Sequence, residues 1–384
     1  MALAGDILTL NCGSSSIKFA LFGDNDAAGL RGQIEGIGDG LTARLLLPGE
    51  PDRPLPERQG HAANLDWLCE EFISRRGRRI VAVGHRVVHG GERFSAPVTV
   101  NADVREAIAA LAPLAPSHQP HNLAGIDAMG KALPDAAQIA CFDTAFHLTI
   151  PEHRRRMPLP KRFDEVGLRR FGFHGLSYEG VVEMLPQVLG QRAEGRIVAC
   201  HLGNGCSLAG IVAGKSQYTS MGFTPLDGLM MGRRPGRLDP GAVLWLVRDH
   251  GGDVEAVDRL LNQEAGLAGV SGISPDMRVL LASDNPAARL AIEMFVDRLV
   301  QEIAAAAAAI GGIDALVFTG GIGENAAPVR AKALERLAWL GFAIDAAANA
   351  ANAAMISLAG AMPSAHVVAC DEERVIAAAV ARLL

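Results

Sequence analysis

Asp6–Phe22 reads DILTLNCGSSSIKFALF: an apolar strand, a tip at Asn11-Cys12-Gly13-Ser14-Ser15-Ser16, and a second strand returning through Lys18. This is the pattern of a β-hairpin with a small, polar, donor-rich tip. Gly13 permits a turn that a Cβ would obstruct, and the serines crowd hydroxyl and N–H groups together, which suits a terminal phosphate. A solvated turn uses the same residues, so the hairpin gains weight from its repetition. Arg196–Val212, RIVACHLGNGCSLAGIV, again runs apolar strand, Gly/Asn/Ser tip, apolar strand. Placing Gly13-Ser14-Ser15 beside Gly205-Cys206-Ser207 aligns two hairpins, and two similar domains offering one tip each would close on a phosphate chain.

Around the hairpins, strand and helix patterns alternate: Ile80–Val88 as a strand, Asp103–Leu111 as a helix, Ala137–Phe142 as a strand ending at Asp143. The chain is therefore of the α/β class. Its 384 residues, 49% hydrophobic and 20% charged, are enough for two domains with ample cores. The proline- and arginine-rich segment 151–162 interrupts the rhythm and reads as a linker or flap beside a domain junction. A net charge of −6 gives no reason to expect a nucleic-acid partner, and the short basic clusters at 75–79 and 154–156 read first as solvated surface. The N-terminus enters a strand at once, without a basic segment and long apolar run, so neither secretion nor a membrane is expected. Six cysteines without a CxxC pair suit buried, reduced thiols in the cytoplasm.

A third glycine loop follows a long helix. Asn285-Pro286 supplies a capping side chain and a proline at the first helical position, the run to Ile310 ends at Gly311-Gly312, and a buried-type strand, 313–319, opens into Gly320-Gly321-Ile322-Gly323-Glu324-Asn325-Ala326 and a helix to Trp339. Gly321-x-Gly323-x-x-Ala326, with Asp345 about 22 residues beyond Gly323, also fits a dinucleotide fingerprint and its ribose-binding acid. That reading makes the protein a nicotinamide-dependent oxidoreductase but leaves both hairpins without a role. The same loop can place adenosine against glycine backbone in a kinase.

Charged residues gather at element ends: Gly84-His85-Arg86-Val87-Val88-His89-Gly90-Gly91-Glu92, Ala115-Pro116-Ser117-His118-Gln119-Pro120-His121-Asn122, Phe142-Asp143-Thr144-Ala145-Phe146-His147, Phe171-Gly172-Phe173-His174-Gly175, and Met231-Gly232-Arg233-Arg234-Pro235-Gly236-Arg237. Loops at strand ends are where α/β proteins bind ligands. Each residue also has a plainer use: Asp143 as a helix cap, His118 and His121 as turn residues, the arginines as surface charge. His85 and His89 have the spacing of a helical zinc pair, but the valines and glycines around them suggest a strand end and argue against it. Three cations within five residues of glycine-rich loop would attract an anion.

Together these residues carry a resemblance to the acetate kinase family. LTLNxGSSSxK, GHRVVHGGE, FDTAFH, FGFHG, CHLGNGxS, SMGFTPLDGLMMGxR and FTGGIGEN run in the family's order along essentially the whole chain. The resemblance implies an α/β fold of two duplicated actin-like (ribonuclease H-like) domains with an active-site cleft between them. Residues 1–145 with a C-terminal helix at 375–384 would form the first, and 146–374 the second, which would bind nucleotide and form a homodimer. An actin-like nucleotide-binding or filament module would also explain the hairpins, but not the arginines and histidines.

The resemblance implies reversible transfer of the ATP γ-phosphoryl group to acetate, giving acetyl phosphate and ADP, with Mg²⁺ as cofactor and Mn²⁺ able to stand in. A carboxylate acceptor is already ionised at neutral pH and needs no general base. The obstacle is repulsion between anions, so in-line transfer calls for cations and hydrogen-bond donors around the equatorial oxygens. By matching motifs, Arg86 and Arg234 would hold the acetate and the moving phosphoryl group, His174 would stabilise the transition state, and Asn11, Asp143 and Glu372 would position the metal. Asn11, Ser16, Lys18, His201, Asn204 and Gly205 would contact phosphates; Asp276, Arg278, Gly321, Ile322, Gly323 and Asn325 would lie along the nucleotide. Val88, Ser117, His118, Phe173 and Pro225 would surround the acid. Three departures stand out: CDEE at 370–373 replaces the family's TNEE, Arg233 replaces a common threonine, and Ser117 replaces the leucine of the methyl pocket. The last predicts better tolerance of propionate.

Overall fold

The computed structural model describes residues 5–13, 16–23, 28–37, 43–55, 60–73, 77–116 and 118–384. The chain divides into two compact units, residues 1–145 with 371–384, and residues 146–370.

In the first unit, β1 (Asp6–Cys12) and β2 (Ser16–Phe22) pair antiparallel with Asn11 opposite Lys18, closed at the tip by the Gly13 N–H on the Ser16 carbonyl at 2.8 Å. β3 (Ala28–Glu35) continues this meander, followed by the short edge strands β4 (Arg44–Leu46) and β5 (Arg53–Pro54). On the other side of β1 lie β6 (Ile80–Val87) and β8 (Ala137–Phe142), both parallel to it, and then β7 (Val98–Thr99) at the far edge. β1 is buried along nearly its whole length, because a strand inside a sheet covered on both faces has no solvent side.

The second unit repeats the frame. β9 (Arg196–Leu202), β10 (Cys206–Val212) and β11 (Lys215–Thr219) form an antiparallel meander, and β12 (Ala315–Thr319) and β13 (Ser364–Val367) add parallel strands beside β9. The orders β3-β2-β1-β6-β8 and β11-β10-β9-β12-β13 match in sequence and in polarity, as a duplicated actin-like architecture requires. The equivalence corrects the alignment of the tips. Each tip has three residues between strands, so Gly13 stands where Gly203 stands, not Gly205, and Asn11 corresponds to His201.

The helix Pro286–Ile310 has the expected ends: Asn285 accepts from the Ala287 N–H at 2.8 Å, and Gly311 stops it at φ +78°. Its buried stripe, Ala288, Ile292, Phe295, Leu299, Ile303 and Ala306, keeps the helical period. At the C-terminus, Asp371 caps the helix Glu372–Ala381, three residues earlier than the sequence suggests. This helix returns to the first unit, where a Cβ on Gly84 of β6 would lie 2.4 Å from Ile376 and 2.8 Å from Val380; only glycine allows so close a crossing. The earlier start moves Glu372 into the first unit.

Segment 151–162 lies inside the second unit rather than linking the two. It carries short helices at Glu152–Arg155 and from Lys161, and Arg154 donates to the Gln217 carbonyl at 3.0 Å. Among the described residues no helix is long and apolar enough to cross a membrane.

Candidate functional site

In the first unit, parallel pairing sets Arg86 opposite Cys141 and Val87 opposite Phe142, so Asp143 leaves β8 beside the end of β6. Its N–H donates to the Val87 carbonyl at 3.0 Å, which leaves the carboxylate to face Arg86 rather than cap a helix. The Arg86 Nε donates to both oxygens at 3.2 and 3.0 Å and Nη2 donates to Oδ2 at 2.5 Å; Nη1 stays outside this fork. Glu372 Oε2 stands 3.8 Å from the same Nε. Burial pushes the Asp143 carboxyl up and Glu372 pushes the same way, while the charged guanidinium opposes both. Burial works against the Arg86 charge too, but Asp143, Glu372 and Glu373 together outweigh it and hold Arg86 firmly protonated.

The loop after β6 is clamped by two side-chain amides that no motif singles out. The Gln119 amide accepts from the His89 N–H at 3.2 Å and donates to its carbonyl at 2.9 Å. Asn122 accepts from the Val88 N–H at 3.0 Å and donates to the Cys12 carbonyl at 2.9 Å, tying this loop to the hairpin tip. Both lie in segment 115–122, where two amides one helical turn apart are the sequence signal for them. His118 stands at the N-terminus of the helix Gln119–Ala132, and Ser117 lies outside the described residues. The His121 ring packs tilted against that of His61, whose Nε2 meets the Gly13 carbonyl at 2.6 Å. Asn11, Ser16 and Lys18 stand at the described ends of the hairpin, with Lys18 exposed. His85 is buried within β6 against Gln138 at 2.8 Å, and among the described residues no metal cluster of His, Cys, Asp or Glu forms.

In the second unit, Phe173 is buried and His174 opens the helix Gly175–Leu189 with φ +60°, a left-handed conformation that a non-glycine residue adopts only where its surroundings enforce it. The enforcement is visible: His147 Nε2 meets the Phe173 carbonyl at 3.0 Å, and a Cβ on Gly172, at φ +76°, would strike the His147 ring at 2.7 Å. His174 stacks on His201 with ring centroids 4.3 Å apart. His201 Nδ1 lies 2.8 Å from the Ser177 hydroxyl, and His174 Nδ1 2.9 Å from the Ser207 hydroxyl.

Arg234 donates from Nη1 to the Pro225 carbonyl at 2.7 Å. Its Nη2 and the His174 Nε2 converge: the position a Cβ of Gly205 would take lies 2.8 Å from the one and 3.3 Å from the other. The remaining arginines of the loop go elsewhere, against the expectation of a three-cation cluster. Exposed Arg233 donates to the Gln263 carbonyl at 3.1 Å, and Arg237 is engaged by buried Glu302. Burial lowers the Arg234 guanidinium below its ordinary range, which fits a group poised for an anion.

A cavity of about 900 Å³ in this unit is lined by Asn204, Asp276, Arg278, Gly321, Ile322 and Asn325, from three separate segments. Asp276 caps its own short helix and forks with Arg278 at 2.6–3.1 Å. Gly323 does not line the cavity; it is buried, with Phe318 backbone 3.4 Å from where its Cβ would be. Buried Arg330 fixes the cavity wall by donating to the Gly323 and Glu324 carbonyls at 2.8 and 2.9 Å. The dinucleotide reading fails here. Asp345 caps the helix Ala346–Ala350 by accepting from the Ala348 N–H at 3.0 Å, and Glu324 takes the Gly320 N–H at 2.9 Å, where a pyrophosphate would need it.

The model of the acetokinase family matches residues 6–378. The chain belongs to the acetokinase family. An acetate kinase of Rhodopseudomonas palustris (strain TIE-1) is 46% identical over 98% of each chain. Among solved structures, a propionate kinase from Francisella tularensis superposes with a TM-score of 0.92 at 38% identity, covering 98% of each chain. The acetate kinase of Porphyromonas gingivalis superposes with a TM-score of 0.90 at 36% identity, covering 99% of this chain and 100% of that one. Within this acetokinase chain the CDEE segment divides its labour: Asp371 pairs with Arg31 at 2.7 Å, Glu372 faces Arg86, and Glu373 lines a separate pocket with Lys18.

Proposed function

We propose that this protein is an acetate kinase that transfers the γ-phosphoryl group of ATP to acetate, reversibly and by direct in-line displacement. The observation that carries the assignment is the convergence of Arg234 Nη2 and His174 Nε2 on one point beside Gly205, in a chain that belongs to the acetokinase family over 6–378. Two donors aimed at one point match the need of a phosphoryl group whose equatorial oxygens gather charge.

Arg86 has Nη1 outside its fork with Asp143 and would offer it to the acid or the phosphoryl group. Asn204 and His201 would meet the phosphates, with the nucleotide along Gly321, Ile322 and Asn325 beside Asp276 and Arg278. Asn11, Ser16, Lys18 and Gly205 complete the phosphate contacts, and Val88, His118, Phe173 and Pro225 the acid's surroundings. Asp143 and Glu372 flank a single guanidinium, leaving a net negative, all-oxygen donor set that suits a hard divalent cation, with Asn11 at the end of the adjacent strand. Mg²⁺, or Mn²⁺ in its place, when bound there offsets the charge of the nucleotide phosphates.

Propionate is the second acid, supported by Ser117 in place of a leucine and by the propionate kinase from Francisella tularensis. A homodimer through the second unit is supported by exposed Leu244, Trp245 and Val254. A reducing location such as the cytoplasm fits six cysteines of which none is in a disulfide. The test is hydroxylamine trapping of acyl phosphate with ATP, Mg²⁺ and acetate, beside propionate, butyrate and a control without acid. Acetohydroxamate is expected; ATP loss without it, or no turnover, overturns the assignment.

A further inference from the structure

Tyr178, fully buried, stands one turn after His174 on the same helix and brings its hydroxyl 2.5 Å from the Ser207 hydroxyl, which in turn lies 2.9 Å from His174 Nδ1. The protons of this chain can be counted. Burial holds the Tyr178 phenol well above its ordinary range, so it keeps its proton, and its oxygen takes a backbone hydrogen bond from His201. The phenolic O–H then needs an acceptor, and the Ser207 oxygen is the one beside it. Ser207 is itself fully buried, so its own proton must also be placed, and the Nδ1 lone pair of His174 accepts it. With Nδ1 accepting, the ring proton resides on Nε2, the atom that shares its point of convergence with Arg234 Nη2.

We propose that Ser207, oriented by Tyr178, is a positioning residue that fixes His174 as the Nε2–H tautomer, so that the histidine meets the transferring phosphoryl group as a hydrogen-bond donor rather than a lone pair. The proposal rests on the reading of His174 given above. It accounts for a feature that packing leaves unexplained, a hydroxyl at Ser207 on a strand where every neighbour from Cys206 to Ile211 is buried. The ring of His174 lies accordingly, with Nδ1 toward Ser207 on the strand and Nε2 toward Gly205.

The test is nitrogen NMR of the full-length protein labelled with ¹⁵N-histidine, the His174 signals being assigned by their loss in His174→Gln. The wild type is expected to show Nε2 protonated and Nδ1 as a hydrogen-bonded acceptor; a protonated Nδ1 overturns the proposal without any further variant. Ser207→Ala should lose that tautomer preference and lower kcat by at least about tenfold while KM for ATP and acetate stays within about twofold, the pattern of an interaction made in the transition state. Ser207→Thr, which keeps the hydroxyl, should restore both the tautomer and most of kcat. An unchanged kcat and tautomer in Ser207→Ala overturns the relay. A full kcat in His174→Gln overturns the role of His174 on which the proposal stands, while the spectrum still reads the tautomer, so the two failures are told apart.

Discussion

Gly205→Ala isolates the convergence that the assignment depends on. Gly205 does not occupy a left-handed backbone conformation, so alanine fits the chain without strain, and fold stability should stay within about 1 kcal/mol. The new methyl would sit 2.8 Å from Arg234 Nη2, and the guanidinium must retreat by about 0.6 Å to reach an ordinary 3.4 Å contact. His174 Nε2, at 3.3 Å, is pressed as well but needs only a slight shift. The Arg234 head remains tied through Nη1 to the Pro225 carbonyl, so the displacement becomes a rotation that takes Nη2 off its line. A misplacement of about 1 Å costs on the order of 10²-fold in rate, so one of this size should lower kcat about tenfold or more. Hydroxamate trapping gives kcat and both KM values, and thermal unfolding checks the fold. Wild-type kcat in a folded Gly205→Ala protein would refute the idea that Arg234 and His174 act together beside this glycine.

The remaining predictions concern the pair, the acid pocket, a cap and pH. Asp143→Ala strips Arg86 of the carboxylate that takes three hydrogen bonds from it and should cost about 3–5 kcal/mol in denaturant unfolding, whereas Arg86→Met with Asp143→Leu should regain most of that and stay inactive; a double variant as unstable as the single one would show that the pair is not what holds the site. Ser117→Leu should lower the propionate-to-acetate ratio of kcat/KM about tenfold, from about 1–2 kcal/mol of pocket wall; an unchanged ratio counts against that reading. Asp345→Ala should remove a helix cap and cost about 1 kcal/mol while leaving KM for ATP alone; a raised KM would return Asp345 to the nucleotide. Burial holds the His85 and His147 imidazoles down at about 4, against an ordinary 6.5. Their folded pKa lies below the unfolded one, so the stability they permit is complete above pH 6.5 and is lost as pH falls towards 4, by about 3 kcal/mol each at that point. His147→Gln should flatten the slope of stability against pH in this window by about one proton; an unaltered slope would mean that His147 titrates normally.

The α/β class, the two hairpins, the long helix from Asn285 to Gly311 and the position of Asp143 at a strand end were all legible in the sequence. Each rests on local chemistry: a hydrophobic period, a capping side chain, a glycine at a turn. The sequence likewise showed which polar residues stand at element ends, because Gly and Pro mark those places whatever the tertiary fold. Three-dimensional packing decided the rest. That Gly203 rather than Gly205 corresponds to Gly13 follows from strand register, which spacing along the chain does not reveal. Gly205 matters because Arg234 Nη2 and His174 Nε2 close in on the position its Cβ would take, and Arg233, Arg234 and Arg237, alike in sequence, part company because a carbonyl, the convergence with His174 and a buried carboxylate claim one each. Gln119, Asn122, Ser207 and Tyr178 act through hydrogen bonds to residues distant in sequence, and such bonds exist only once the backbone has fixed donor and acceptor within 3.2 Å.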